Sequence, residues 1–162
     1  MYALKVCYLD FDGVLHDDDV HWNRKRGVHM KSPERKLFEW MPILEELLSP
    51  YPEVKIVLST TWVQVKCYKF AKEKLSSDLQ SRTIGATFHS RFTNIEDFNS
   101  TYRGFQVVDD VLRRKPDNWF AIDNDAFNWP TNFRQHLIKT EDRFGLSDVN
   151  VQNAIIELLK TF

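Results

Sequence analysis

Cysteine is almost missing from this chain. Cys7 and Cys67 are its two representatives in 162 residues, and neither has a short-spacing partner. No zinc site and no disulfide framework can be built from them, and both read as buried free thiols. A long apolar run is also lacking. No stretch approaches the 18 or so residues that a membrane span needs. The apolar start, Met1 to Leu9, is short, has no basic lead and no small-residue cleavage site, and runs straight into acidic residues, so it is not a secretory signal. These absences predict a cytoplasmic chain with no membrane partner. An excess of one charge is the third absence: 22 Lys and Arg face 23 Asp and Glu, a formal net charge of −1. Such a balance argues against a nucleic-acid footprint spread over the whole body, although it leaves room for a local one.

What is present is the composition of a globular domain, 43% hydrophobic and 28% charged, which excludes disordered and collagen-like classes. At about 150 residues per domain, residues 1–162 make one domain. A chain of this mass can bury about 70% of its unfolded surface, enough for a core without cross-links.

Along the chain, Leu4 to Leu9 is a short β-prone run that stops at Asp10. Residues 13–33 read as a polar excursion, a mobile flap carrying a small hairpin. Val14, Leu15, Val20, Trp22, Val28 and Met30 are its available anchors. Its charges are segregated: Asp10, Asp12, Asp17, Asp18 and Asp19 precede Arg24, Lys25, Arg26 and Lys31. Pro42 suits the first turn of a helix opening near Met41, and Ser49-Pro50-Tyr51-Pro52 ends it. Val54 to Leu58 is a second apolar strand, followed by a helix from about Trp62 to Leu75. A third strand is expected over Ile84 to Phe88, a helix capped by Thr101, and a fourth strand over Trp119 to Ile122. A fifth strand contains Leu137 and Ile138, and a last helix, capped by Ser147, turns Val151, Ile155, Leu158, Leu159 and Phe162 to one face. Strands that alternate with helices and read as continuous apolar runs predict an α/β three-layer sandwich with a mostly parallel five-stranded sheet covered on both faces.

Ligands of such sheets sit at the carboxyl ends of the strands. Those ends read Asp10-Phe11-Asp12-Gly13, Ser59-Thr60-Thr61 and Asp123-Asn124-Asp125. Carboxylates gathered from Asp10, Asp12 and Asp123 repel one another unless a cation sits among them. Their oxygen chemistry suits Mg²⁺, which takes further ligands from a phosphate. Ser59 or Thr60 can hold phosphate oxygens, and an Asp beside a phosphoryl group can act as a nucleophile. A calcium loop fails, because its first position falls on Tyr8 and a strand rather than a helix enters it.

The segment Val6 to Leu15, a hydrophobic strand followed by D-x-D-G-V-L, resembles the first motif of the haloacid dehalogenase (HAD) superfamily of phosphatases. Ile56-Val57-Leu58-Ser59 resembles the second motif, and Phe120-Ala121-Ile122-Asp123 the start of the fourth. The resemblance spans about Leu4 to Ile138. It implies that Asp10 is the nucleophile and a metal ligand. Asp12 would be the general acid and base, with its backbone carbonyl on the metal. Ser59 would bind the phosphoryl group with help from the backbone around Thr60, and Asp123 would hold Mg²⁺. Where the family has a second acid this chain has Asn124, with Asp125 just beyond, so the next ligand lies between those two. The third-motif cation is Arg103, at the start of the helix before the fourth strand, in preference to Lys115.

The nearest pattern within the superfamily resembles uncapped domains of RNA-repair proteins, through Ser59, Trp62 and Gly145-Leu146. The Arg that follows the tryptophan in those relatives is Val63 here. About 46 residues separate Asp12 from Ser59, and about 43 separate Ser59 from Arg103. Neither interval holds a full cap domain. An open site suits a bulky phosphorylated substrate, such as a nucleic-acid end or nucleotide. The five histidines show no ligand spacing and are expected in surface or loop roles, and the tryptophans in packing, although Trp22 beside Arg24-Lys25-Arg26 can stack on a base. The expected activity is a Mg²⁺-dependent phosphomonoesterase acting through an aspartyl-phosphate. The alternative, motivated by Asn124 and Val63, is a phosphate- or metal-binding or regulatory module without turnover.

Overall fold

The computed structural model describes residues 2–162. Five parallel strands form the central sheet: β1 (Lys5–Leu9), β4 (Val54–Leu58), β5 (Thr83–Ala86), β6 (Asn118–Asp123) and β7 (Leu137–Lys139), in the order β5-β4-β1-β6-β7. A separate antiparallel hairpin, β2 (Val20–Asn23) with β3 (Gly27–Met30), lies between β1 and the first helix. The helices are α1 (Met41–Leu48), α2 (Trp62–Val65), α3 (Tyr68–Glu73), α4 (Ser77–Arg82), α5 (Ile95–Ser100), α6 (Arg103–Arg114) and α7 (Val149–Leu159).

The continuous apolar strands follow from burial on both faces. In β1, Cys7 and Leu9 pack with α1, α3, α4 and α7 through Leu44, Ala71, Leu79 and Ile155. Val6 and Tyr8 point the other way, into a smaller core with Val107 and Val108 of α6. β6 alternates likewise, with Phe120 and Ile122 in the larger core and Trp119 and Ala121 in the smaller.

Register does the rest of the positioning. Leu9 is level with Leu58 on one side and with Ile122 on the other. The residues that follow, Asp10, Ser59 and Asp123, therefore emerge side by side. Backbone bonds carry the alignment one step past the strands, with Ser59 N–H donating to the Leu9 carbonyl at 2.8 Å and Asp10 N–H to that of Ile122 at 3.2 Å. The chain runs outward from β1 through β4 to β5, then returns to place β6 on β1's other side. The switch point lies directly over Asp10.

Several local expectations need correction. The single helix expected over 62–75 is two, because Cys67 is extended (φ 178°) and its Sγ accepts the Phe70 N–H that opens α3. Cys67 is exposed, not buried; Cys7 is buried as expected. The third strand is Thr83–Ala86. Thr101 does not cap α6; its hydroxyl donates to the Asp97 carbonyl at the end of α5, and Tyr102 occupies the cap position without a side-chain bond. Asp148, not Ser147, caps α7, accepting from the Asn150 N–H at 2.8 Å. Val14, Leu15 and Met30, three of the anchors expected for the excursion over 13–33, are buried.

Gly104 lets the first turn of α6 approach the Trp129-Pro130 segment: a Cβ there would fall 2.5 Å from Pro130 Cδ and 2.8 Å from Trp129 Cδ2. Overpacking of this kind costs about 1–3 kcal/mol. Gly104→Ala is expected to lower the melting temperature by about 2–10 °C, measured by calorimetry.

Candidate active site

Three strand ends and one helix start meet at the switch point. Asp10 and Asp123 are buried, with 4% and 1% of their surfaces exposed. Each has one carboxylate oxygen tied by a following backbone N–H: Phe11 to Asp10 Oδ1 at 2.8 Å, and Asp125 to Asp123 Oδ1 at 2.9 Å. Arg103, the first residue of α6, reaches between them. Its Nη1 lies 3.7 Å from Asp10 Oδ1 and 3.5 Å from Asp123 Oδ2, and donates to Ser59 Oγ at 3.3 Å. Asp123 Oδ2 is buried without a hydrogen bond among the described residues.

The electrostatics follow from this crowding. Burial raises the Asp10 carboxyl well above its ordinary value; Asp123 raises it further and Arg103 opposes. Burial likewise raises Asp123, again against Arg103. Burial works against the guanidinium's charge, but Asp123, Asp10 and Asp125 outweigh it and Arg103 stays protonated. One guanidinium serves two carboxylates, and Asp123 Oδ2, although 3.5 Å from it, has no hydrogen bond among the described residues. Two carboxylates and a backbone carbonyl are the protein share that Mg²⁺ takes when phosphate and water complete its octahedron. No group of three or more His, Cys, Asp or Glu arranged for a metal occurs among the described residues. The fit therefore rests on the pair and its orphaned oxygen.

Asp12 is held differently. Its Oδ1 accepts from Trp62 Nε1 at 2.9 Å and lies 2.8 Å from His16 Nε2. His16 is completely buried, which overturns its expected surface role. Its Nδ1 accepts the backbone N–H of Phe38 at 3.0 Å. The ring proton therefore sits on Nε2 and is given to Asp12. Phe38 adopts a positive φ of 59°, a costly conformation for a bulky residue. It is held there by edge-on packing against Phe11, His16 and Trp62. Sequence reasoning missed both donors to Asp12. The available signal was a histidine directly after the apolar pair Val14-Leu15.

The remaining candidates are placed as follows. Thr60 is buried and its hydroxyl accepts the Trp62 N–H at 3.3 Å. The helix that follows, α2, has only four residues and its N-cap is Thr61. Lys115 lies at the far end of α6, about 18 Å along the helix from Arg103. Asn124 turns to Asp142, whereas Asp125 is near enough for its charge to act on both Asp123 and Arg103. Asn124 Nδ2 donates to Asp142 Oδ1 at 3.0 Å, and Asp125 Oδ1 accepts the Phe127 N–H at 3.1 Å. Asn124 also lies against Gly13, where φ is +76° and a Cβ would meet its Nδ2 at 2.5 Å. Val63 is a core residue. No helix among the described residues is long and apolar enough to cross a membrane.

The family model described as the HAD domain in Swiss Army Knife RNA repair proteins matches residues 6–151. The chain belongs to this family. No curated protein and no solved structure matches it. Membership makes the protein a HAD-type hydrolase, and the five-stranded parallel sheet without an elaborate cap is the HAD-like core.

Linkage gives a measurable consequence of the carboxylate pair. Both groups have folded-state values raised above the unfolded carboxylate value of about 3.9, so the native state binds more protons than the unfolded one. Their favourable contribution is complete below that value and is lost as pH rises through the raised ones. In chelator, the melting temperature is expected to fall as pH rises from about 4. Asp123→Asn should flatten that slope, as read by thermal denaturation across pH.

Proposed function

We propose that this HAD-family protein is a Mg²⁺-dependent phosphomonoesterase that forms an aspartyl-phosphate on Asp10 and acts on phosphorylated nucleic-acid ends. The observation that carries the reading is the convergence of Asp10, Asp123, Ser59 and Arg103 at one switch point, where Asp123 Oδ2 is buried with an ion pair to Arg103 but no hydrogen bond among the described residues. The family's printed association with RNA repair supports the substrate class.

Asp10, Asp123 and the Asp12 carbonyl would hold Mg²⁺, which would neutralise charge on the phosphoryl oxygens. Ser59 Oγ and Arg103 bind the phosphoryl group and offset the charge that develops on it. An Asp10 carboxylate oxygen attacks phosphorus as the bond to the leaving oxygen breaks, and Asp12 gives that oxygen its proton. Water then attacks the aspartyl-phosphate and passes a proton to Asp12. The bond between Asp10 and phosphorus breaks, and inorganic phosphate leaves. Trp62 and His16 engage one Asp12 oxygen, leaving the other for this proton traffic.

Purified protein with Mg²⁺ is expected to release phosphate from an aryl phosphate and from oligonucleotide termini, and Asp10→Asn or chelator should abolish release. Activity on oligonucleotide ends should exceed that on mononucleotides and fall with salt. No release from any phosphomonoester with Mg²⁺ present would overturn the proposal.

His16 is a positioning residue for Asp12. General acid–base catalysis contributes about 10²–10⁴-fold. His16→Ala should lower kcat on alkyl phosphates about 10- to 100-fold with KM nearly unchanged, because one of two orienting donors is lost. The same variant should lose much less on nitrophenyl phosphate, whose leaving group needs no proton. Steady-state kinetics on the two substrates distinguish this from simple unfolding.

A further inference from the structure

Beside Asp12, a slot of about 160 Å³ opens between the hairpin and α2. Its walls are Val20, Trp22 and Val28 from the hairpin, and Trp62, Val65 and Lys66 from the segment after β4. The hairpin presents these residues through strand alternation. Trp22 pairs with Val28 and Val20 with Met30, which puts the four on one face. Asp12 and Trp62 both line the slot, and the indole N–H of Trp62 is given to that carboxylate.

Two features of this slot are not explained by packing. Trp22 remains 59% exposed and Val65 74% exposed although both line it, an apolar surface left open beside an acid. The hairpin is also polarised along its length. Its base carries Asp17, Asp18 and Asp19, and its turn carries Arg24, Lys25 and Arg26, all three exposed. The turn is built to hold that shape, with Asn23 Oδ1 accepting the N–H groups of Lys25 and Arg26 at 3.1 and 2.8 Å. Lys66 adds a fourth cation, its Nζ 5.0 Å from the centroid of the Trp22 ring.

We infer that this slot is the leaving-group subsite and that it takes the terminal nucleobase of a phosphorylated nucleic-acid end, stacked on Trp22. The inference rests on the phosphatase reading above only for its choice of terminal phosphate. An enclosed apolar space of about 150 Å³ accepts a benzene ring, so the slot is sized for one aromatic ring, with the remainder of the strand outside. Stacking on an indole tolerates any base. The cations at the hairpin turn lie where the next phosphates of a strand can run, and Lys66, long and exposed, is free to leave the indole for one of them. A phosphotyrosine peptide offers a ring but no repeating backbone charge to match three consecutive cations. The balanced net charge of the whole chain is then compatible with local nucleic-acid binding, because three consecutive cations are grouped at the hairpin turn.

The test is a binding measurement in an Asp10→Asn background with Mg²⁺, so that it reads whether or not the chain turns over. The ligands are fluorescein-labelled hexanucleotides ending in a 3′- or a 5′-phosphate, each with a counterpart whose terminal residue is abasic. Trp22→Ala is expected to weaken binding to the base-bearing end about 5- to 100-fold, to leave the abasic end unchanged, and to be largely rescued by Trp22→Phe. The polarity of the terminus that responds identifies which end is bound. Equal effects on base-bearing and abasic ligands, or no effect, would overturn the inference. So would dependence on Trp22 for a phosphotyrosine peptide but not for any oligonucleotide. Failure of the phosphatase reading is read separately, as absence of phosphate release by the unsubstituted chain with Mg²⁺.

Discussion

Two buried carboxylates that share one guanidinium are the constraint on which the rest of this molecule depends. Asp10 and Asp123 are brought together because the strands they end are level with each other. Neither can leave, since each is pinned by a backbone N–H. Arg103 moderates the repulsion from the start of α6, where the helix's own dipole is already positive and a cation is unwelcome. Three unfavourable placements thus hold one another in check. A helix packed closely enough to deliver Arg103 needs Gly104 behind it, against Trp129 and Pro130. Tertiary packing far from the carboxylates is therefore part of their electrostatics.

The acid–base side of the site has a different character. Asp12 is oriented by neutral donors, an imidazole and an indole, inside an aromatic cluster of Phe11, Phe38 and Trp62. One half of the cleft is charged and tight, and the other is aromatic and opens toward the hairpin. That division suits a reaction with a fixed phosphoryl site and a variable leaving group. Phosphoryl charge is the same for every substrate, whereas the group beyond the scissile bond is not.

The strands and the level carboxylates were legible in the sequence because burial on both faces writes itself as continuous apolar runs. A parallel register then carries each run's end to the same height. Arg103 was legible for a related reason, since a residue opening the helix before β6 must lie near that strand's neighbours. His16 was not legible. Its burial depends on a backbone donor 22 residues away, at Phe38, and on a positive φ there that no propensity announces. The short helices α4 and α5 escaped because each buries little, Leu79 and Arg82 in one and Phe98 in the other. Their caps, Ser76 and Asn94, sit in polar surroundings that read as loop. The break between α2 and α3 was hidden because cysteine seldom serves as a cap and its periodic neighbours read straight through it.

Asn124 stands where the family pattern has an acid, and its amide ties two surface loops together. It donates to Asp142, while Thr140 donates to the carbonyl of Gly13, the residue against which Asn124 rests. An aspartate at 124 would face Asp142 with no proton to offer. Positions 124 and 142 thus act as a matched pair, an amide donor facing a carboxylate acceptor. The amide at 124 thereby braces the turn of the first motif at Gly13 against the loop that carries Asp142.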